Sequence, residues 1–150
     1  MFDWLANPNR FKKITNKLEP LLMIMSLLFI IFGLYFSLFD SPKDYQQGDA
    51  VRIMYVHVPS AWLASFLYLS LAISCIFYLV WKHPLADLIS SSIAPIGALF
   101  CVLTLITGSL WGKPMWGTWW VWDARLTSVA ILFIIYLVII FLNQTFENRE

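Results

Sequence analysis

Four long apolar segments alternate with short polar segments along the chain of 150 residues. The apolar segments cover residues 18–39, 60–81, 93–110 and 126–142, and each has roughly the 17 to 25 residues that a helix needs to cross a hydrocarbon core of about 30 Å. The first is too long for the apolar core of a signal peptide and no A-x-A sequence follows it, so a permanent span is expected. The pattern therefore predicts an all-α polytopic membrane protein, a single domain over residues 1–150 with four transmembrane helices.

The composition agrees with this class and argues against several functions. Hydrophobic residues make up 60% of the chain and charged residues 13%, and a net charge of +1 does not favour nucleic-acid binding. The central parts of the spans lack ionisable residues, so no ion or proton pathway is expected. Cys75 and Cys101 belong to no CxxC motif, and the chain has no G-x-S-x-G, H-E-x-x-H or phosphate-binding loop. We therefore expect a protein that is not an enzyme.

Small and hydroxyl-bearing residues within the spans are expected to serve helix packing. Ala94 and Ala98 lie one helical turn apart, which predicts a close contact between helices. Thr104 and Thr107, further along the same span, are assigned to the same role.

The distribution of Lys and Arg predicts which ends of the spans face the cytoplasm, because positive residues collect on that side. With both termini inside, the inner side has Arg10, Lys12, Lys13, Lys17, Lys82 and Arg149, and the outer side has Lys43, Arg52, Lys113 and Arg125. We therefore expect cytoplasmic termini, outer loops at residues 40–59 and 111–125, and His83 on the inner side.

The second outer loop is rich in tryptophan. Solitary rings near span ends, such as Trp4, Trp62 and Trp81, fit an aromatic belt at the membrane interface. The loop instead concentrates five of the eight tryptophans of the chain. If residues 116–122 are helical, four of these rings fall within an arc of roughly 160°, which predicts an interfacial helix with one tryptophan face. The five residues are Trp111, Trp116, Trp119, Trp120 and Trp122.

A surface of flat apolar rings suits a planar aromatic ligand, and His57 is predicted to lie at the same outer interface. Neutral imidazole is a common ligand of haem iron, although a single histidine at a membrane rim is also often structural. Arg125 and Lys113 can pair with carboxylates such as haem propionates, or can extend towards water as interfacial cations. Asp123 either shares the tryptophan face or caps the fourth span.

Two other side chains, His83 and Met115, have atoms that can ligate iron. His83 is separated from His57 by the whole bilayer, about 30 Å, and is therefore excluded as a second ligand in the same site. Met115 is on the predicted outer side and has a ligating thioether, but a methionine in such a loop usually fills apolar space.

Two motifs carry a resemblance to a known family. Residues 111–128, WGKPMWGTWWVWDARLTS, resemble the tryptophan-rich WWD signature of membrane proteins that handle haem, and residues 55–62, YVHVPSAW, are similar to a histidine-containing segment of the same proteins. The sequence from about residue 11 to residue 142 resembles the cytochrome c maturation protein C family, CcmC, also called haem exporter protein C.

The resemblance implies a role in cytochrome c biogenesis. The protein would bind haem b transiently and non-covalently at the outer face of a bacterial inner membrane, or alternatively of a mitochondrial inner membrane. His57 would be an axial ligand of the iron, and the signature residues would contact the macrocycle. The implied partners are the lipid bilayer, the haem chaperone CcmE, the ABC transporter subunits CcmA and CcmB, and CcmD.

The number of spans departs from the family pattern. Family members typically have six spans and a second axial histidine between the fifth and sixth, whereas four spans are predicted here. The chain is therefore expected to be truncated, and three explanations stay open: the remaining part is encoded elsewhere, haem is bound with one protein ligand, or function has been lost.

Two other functions are compatible with the tryptophan-rich loop. A membrane assembly subunit without its own ligand would use the tryptophans to dock a partner, since Trp is enriched at binding hot spots. Recognition of a sugar or lipid headgroup by stacking is a further alternative that rests on the aromatic residues alone.

Overall fold

Four helices account for most of the computed structural model, which describes residues 8–82 and 84–147. Within these residues there is no strand, only an isolated bridge between Asp44 and Gly48. All four helices are long and apolar enough to span a membrane, which confirms the predicted all-α polytopic class. Trp4, His83 and Arg149 lie outside the described residues. The helices are α1 Pro8–Tyr35, α2 Val51–Trp81, α3 Pro84–Trp116 and α4 Ala124–Glu147, and a π-helical turn, Phe36–Asp40, follows α1.

The helices extend beyond the predicted apolar segments. Helix α2 begins at Val51, nine residues before the predicted start at residue 60, and contains Pro59 in its interior rather than in its first turn. Hydropathy locates the part of a helix that matches the hydrocarbon core, whereas backbone hydrogen bonding continues into the interfacial region. One consequence is that His57 lies within α2 and not in the preceding loop.

Helices α2 and α3 form an antiparallel hairpin. Lys82 adopts a left-handed conformation with φ 53° and donates its backbone N–H to the carbonyl of Tyr78 over 2.8 Å, which ends α2. Helix α3 begins at Pro84, so the connection is very short. Residues at equal distances from this connection therefore lie at similar depths on the two helices.

The buried core lies where α3 packs against both α2 and α4. Ala94 and Ala98 belong to it, in agreement with the predicted helix contact. Tyr136 is fully buried, and its hydroxyl donates to the carbonyl of Ala64 over 3.2 Å. A Cβ atom added to Gly97 would overlap the Tyr136 ring, so only glycine allows α4 to approach α3 this closely.

The chain forms two compact units, Met1–Pro42 and Lys43–Glu150. In the first, the segment Lys12–Asp40 is long and apolar enough to cross a membrane. The second contains α2, α3, α4 and the candidate site.

Candidate functional site

A cavity of about 430 Å³ is lined by the N-terminal part of α2, the C-terminal part of α3 and the start of α4. Five residues that the sequence predicts for the site contribute to its wall. They come from three different parts of the chain: His57 from α2, Trp111 and Trp116 from α3, and Asp123 and Arg125 from the start of α4. Met54, Ala61, Leu105 and Val129 supply much of the remaining surface, which is mainly apolar.

His57 contacts helix α3 through the Nδ1 side of its ring. Nδ1 lies 3.0 Å from Oγ1 of Thr107, and this hydroxyl is 2.6 Å from the carbonyl oxygen of Leu103. An added Cβ at Gly108 would lie 3.1 Å from Cε1 of His57. The absence of a side chain at Gly108 therefore lets the half-buried imidazole lie directly against the helix backbone.

Trp111 is held by the segment that precedes α2. Its indole Nε1–H donates to Oε1 of Gln47 over 2.9 Å. Gln47 is itself held by a turn in which Oδ1 of Asp44 accepts the backbone N–H groups of Gln46 and Gln47, each over 2.8 Å. Such an Asx turn orders the loop locally, so the loop positions one wall of the cavity.

Trp116 folds back along α3. An added Cβ at Gly112, one turn earlier, would lie 3.1 Å from the Trp116 ring. The Trp116 ring meets Trp111 edge to face, with ring centroids 5.1 Å apart and an interplanar angle of 87°. This is a favourable arrangement for two aromatic rings, and it places two indoles side by side in the cavity wall.

The predicted interfacial helix at residues 116–122 is wrong. Gly117 has φ 76°, and its N–H donates to the carbonyl of Lys113 over 3.0 Å. This left-handed residue is a common helix terminator, so α3 ends at Trp116 and residues 117–123 form an irregular connection. The tryptophans before and after Gly117 consequently do not share one helical face.

The other three tryptophans lie away from the cavity wall. Trp119 borders a separate groove beside Leu105 and Leu110, with Nζ of Lys113 5.7 Å from the centroid of its ring. Trp120 and Trp122 pack edge to face with centroids 5.3 Å apart. Lys113 and Met115 are likewise absent from the cavity lining.

Asp123 caps helix α4. Oδ1 accepts the backbone N–H of Leu126 over 2.9 Å, and Oδ2 accepts from Nε and Nη2 of Arg125 over 2.9 Å and 2.7 Å. The Leu126 N–H and the Arg125 guanidinium hold the pKa of Asp123 below its ordinary value. Of the two roles considered for Asp123, the structure therefore shows the helix cap.

Arg125 brings positive charge to the cavity. Its guanidinium carbon lies 5.3 Å from the centroid of Trp116, a distance at which a cation is attracted to an indole face. The side chain is 76% exposed, so its remaining N–H groups are open to an added acceptor.

The chemistry of the cavity follows from these groups. It offers one imidazole nitrogen, two indole rings and a guanidinium, and no cluster of three or more His, Cys, Asp or Glu occurs within residues 8–82 and 84–147. A bare metal ion needs several protein donors, whereas a metal already held in a planar macrocycle needs only one or two axial ligands. The donor set therefore fits a metalloporphyrin better than a free ion.

Thr107, Gly108 and Gln47 were missed as site residues by the sequence analysis. A signal for the first two was present, because Thr104, Thr107, Gly108 and Trp111 follow the three- and four-residue spacing of one helix face. Gln47 had no comparable signal, since its contact with Trp111 depends on the path of a loop.

Known proteins similar to this chain are haem exporter components. The family model described as "Heme exporter protein C" matches residues 1–150. The protein named Heme exporter protein C is 53% identical over 133 residues in Bradyrhizobium diazoefficiens, 48% over 153 residues in Haemophilus influenzae and 45% over 146 residues in Escherichia coli K12.

These matches cover 89%, 100% and 97% of this chain but only 50%, 62% and 60% of the respective relatives. The similarity thus runs along nearly the whole chain, which spans between half and two thirds of the length of these relatives. The chain belongs to the haem exporter protein C family, CcmC.

Proposed function

We propose that the cavity binds haem b as a transient, non-covalent cargo at the outer face of the membrane, with His57 as a ligand of the iron. The observation that carries the proposal is the convergence of His57, Trp111 and Trp116 on one cavity. Its volume of about 430 Å³ falls within the range of about 300–1,000 Å³ typical of small-molecule sites. Imidazole is a standard ligand of haem iron.

The other wall residues have complementary roles in this proposal. Trp111 and Trp116 contact the macrocycle, while Arg125 pairs with a propionate through the N–H groups that Asp123 leaves available. Asp123 orients Arg125 by accepting from its Nε and Nη2. Trp119, Trp120 and Trp122 do not line the cavity and are not assigned to the haem contact.

The biological role proposed for the chain is presentation of haem for cytochrome c biogenesis, without catalysis of a covalent reaction. In this role the chain resides in a bacterial inner membrane, or in a mitochondrial inner membrane, with cytoplasmic termini. It transfers haem to the chaperone CcmE in a complex with CcmA, CcmB and CcmD. Membership of the haem exporter protein C family supports this role.

Haem titration of the detergent-purified chain tests the proposal. The wild-type chain is expected to give a Soret band characteristic of ligated haem, and His57→Ala is expected to weaken binding at least roughly tenfold, about 1.4 kcal/mol. His83→Ala, which removes the other histidine of the chain, is the matched control. An identical Soret band and affinity in His57→Ala would remove His57 from the site.

The same haem titration tests the two tryptophans of the cavity wall, Trp111 and Trp116. Trp111→Leu and Trp116→Leu are each expected to weaken haem binding by roughly 3- to 10-fold, since an aromatic contact contributes about 0.5–1.5 kcal/mol beyond its buried area. Trp62→Leu is the control, because Trp62 lies on α2 and is 74% exposed. Equal effects at all three positions would argue for a general loss of stability.

The exposed tryptophans favour a second candidate function, the docking of a partner protein. Trp119 and Trp122 are 54% and 81% exposed, and Trp side chains are enriched at binding hot spots. Trp122→Ala is expected to abolish co-purification with CcmE while leaving haem affinity unchanged. If docking and haem binding are lost together, the two functions share one surface.

A further inference from the structure

The hydrogen bonds around His57 determine where its proton lies. Oγ1 of Thr107 is 3.0 Å from Nδ1 of His57, 2.6 Å from the carbonyl oxygen of Leu103 and 3.3 Å from that of Thr104. The hydroxyl has a single proton, and the shortest of these distances assigns that proton to Leu103. Towards the histidine, the Thr107 oxygen is therefore an acceptor.

An acceptor opposite Nδ1 requires an N–H at Nδ1. A neutral imidazole carries one N–H, so Nε2 then has the free lone pair. The Nδ1 and Cε1 atoms face α3 at Thr107 and Gly108, while the ring also borders the cavity. The nitrogen not engaged by Thr107 is thus the one available to a ligand.

We propose that Thr107 is a positioning residue that holds His57 in the Nδ1–H tautomer, so that Nε2 is the atom presented to a metal in the cavity. The identity of that metal as haem iron rests on the proposed function, whereas the tautomer does not. Metal-binding histidines generally donate their second ring N–H to a fixed acceptor, which sets both the tautomer and the ring orientation. Here the acceptor is the hydroxyl oxygen of Thr107, whose own proton is donated to the carbonyl of Leu103 in the preceding helical turn.

The opposite direction of the hydrogen bond between Thr107 and His57 would give the other tautomer. If the Thr107 hydroxyl donated to Nδ1, the proton of His57 would lie on Nε2, which could not then bind a metal without losing it. The two arrangements use the same 3.0 Å contact and differ only in the position of protons.

Nitrogen NMR of the haem-free protein distinguishes the Nδ1–H and Nε2–H tautomers of His57. The chain has two histidines, so His83→Gln leaves His57 as the only one in a ¹⁵N-histidine-labelled sample. At about pH 8, above the ordinary histidine pKa of about 6.5, the signal of Nδ1 is expected to be that of a protonated nitrogen and the signal of Nε2 that of an unprotonated one. An Nε2–H tautomer in this sample overturns the proposal.

Three variants test the role of the hydroxyl in the same background. Thr107→Val keeps the shape but removes the acceptor and is expected to shift the tautomer population towards Nε2–H, whereas Thr107→Ser is expected to restore Nδ1–H. Thr104→Val is the matched control, because the Thr104 hydroxyl donates to the carbonyl of Phe100 over 2.7 Å. An unchanged tautomer in Thr107→Val would overturn the assigned role.

Haem titration then connects the tautomer to binding. Thr107→Val is expected to bind haem roughly 10-fold more weakly, the lower end of losses on removal of an outer-shell partner, and Thr107→Ser to recover most of the affinity. A wild-type chain with the Nδ1–H tautomer but no haem binding would refute the proposed function and still support the assignment of Thr107. Full haem affinity in a Thr107→Val chain whose tautomer has shifted would overturn the positioning role.

Discussion

The immediate surroundings of His57 combine one polar contact with one missing side chain. Thr107 engages Nδ1, and Gly108 removes the bulk that would keep the ring away from α3. The two residues are adjacent in sequence but act differently, since Thr107 sets the proton position and Gly108 sets the distance to the helix.

Gly108→Ala is expected to weaken haem binding without unfolding the protein. The new Cβ would lie 3.1 Å from Cε1 of His57, so the ring must move by a few tenths of an ångström. Alanine is favoured over glycine in a helix by roughly 1 kcal/mol, and the helix should therefore persist. We expect roughly tenfold weaker binding by titration, as for other outer-shell changes.

Gly33→Ala is the control for this variant, because an added Cβ at Gly33 has no neighbour within 4 Å. A loss of affinity in both variants would indicate a general response to alanine in a helix. Unchanged affinity in Gly108→Ala would contradict the close fit of the imidazole against α3.

Only some of the residues predicted for the site line the cavity, and the others lie beyond the point where α3 ends. His57, Trp111, Trp116 and Arg125 line one cavity, as expected for residues of one site, although their binding of haem stays a prediction. Trp119, Trp120 and Trp122 were grouped with them by continuing a helical period through Gly117. A single left-handed residue breaks that period, and Gly117 was the visible signal that it would.

Among the helices, α4 begins with a charged cap. Asp123 accepts the N–H of Leu126 and pairs with Arg125, so the contribution of this cap to stability depends on ionisation. Because the pKa of Asp123 is lowered in the folded protein, the contribution is complete above the unfolded-state value of about 3.9. It is lost as the pH falls through the lower folded-state value.

Asp123→Asn is expected to reduce this acid dependence. Asparagine can still cap the helix but cannot titrate or form the ion pair. Thermal unfolding in detergent, followed between about pH 2 and pH 6, should show a smaller loss of melting temperature on acidification for Asp123→Asn than for the wild type. Parallel losses in the two proteins would mean that other carboxyl groups govern the acid response.

The contact between α3 and α4 depends on Gly97. An added Cβ would overlap the buried Tyr136 ring, and overpacking of a core typically costs about 1–3 kcal/mol. Gly97→Ala is therefore expected to lower the free energy of unfolding by at least that amount in a detergent melt.

A double variant tests whether the overlap with Tyr136 causes the loss of stability expected for Gly97→Ala. Tyr136→Leu removes the ring atoms that collide with the new Cβ, so Gly97→Ala should cost much less in the Tyr136→Leu background than in the wild type. An equal cost in both backgrounds would show that the ring overlap is not responsible.

The helices were predictable as apolar segments but their ends were not. Hydropathy defined the most apolar part of α2, and the helix extends N-terminally to Val51 through residues that include Arg52 and His57. The start of α4 was foreseeable, because Asp123 is a good cap immediately before an apolar segment.

At the scale of the whole molecule, the predicted orientation leaves specific residues accessible from each side. Tyr45 and Trp122 are 91% and 81% exposed and lie in the two segments predicted to be outside, while Lys82 is predicted to be inside. In a chain with Cys75 and Cys101 replaced by alanine, Tyr45→Cys and Trp122→Cys should react with a membrane-impermeant maleimide in intact spheroplasts. Lys82→Cys should react only after lysis, and the reverse pattern would invert the topology.

The lengths of α2 and α3 determine which of their residues face each other across the hairpin. His57 lies about 36 Å from the end of α2 at Trp81, and Thr107 lies about 35 Å from the start of α3 at Pro84, at 1.5 Å per residue, which explains why they meet. Deleting one residue from α2 between His57 and Trp81 would turn the imidazole by about 100° and move it about 1.5 Å along the helix axis. The lengths of the two helices, as well as the chemistry of their residues, thus decide whether the imidazole and the hydroxyl meet beside the cavity.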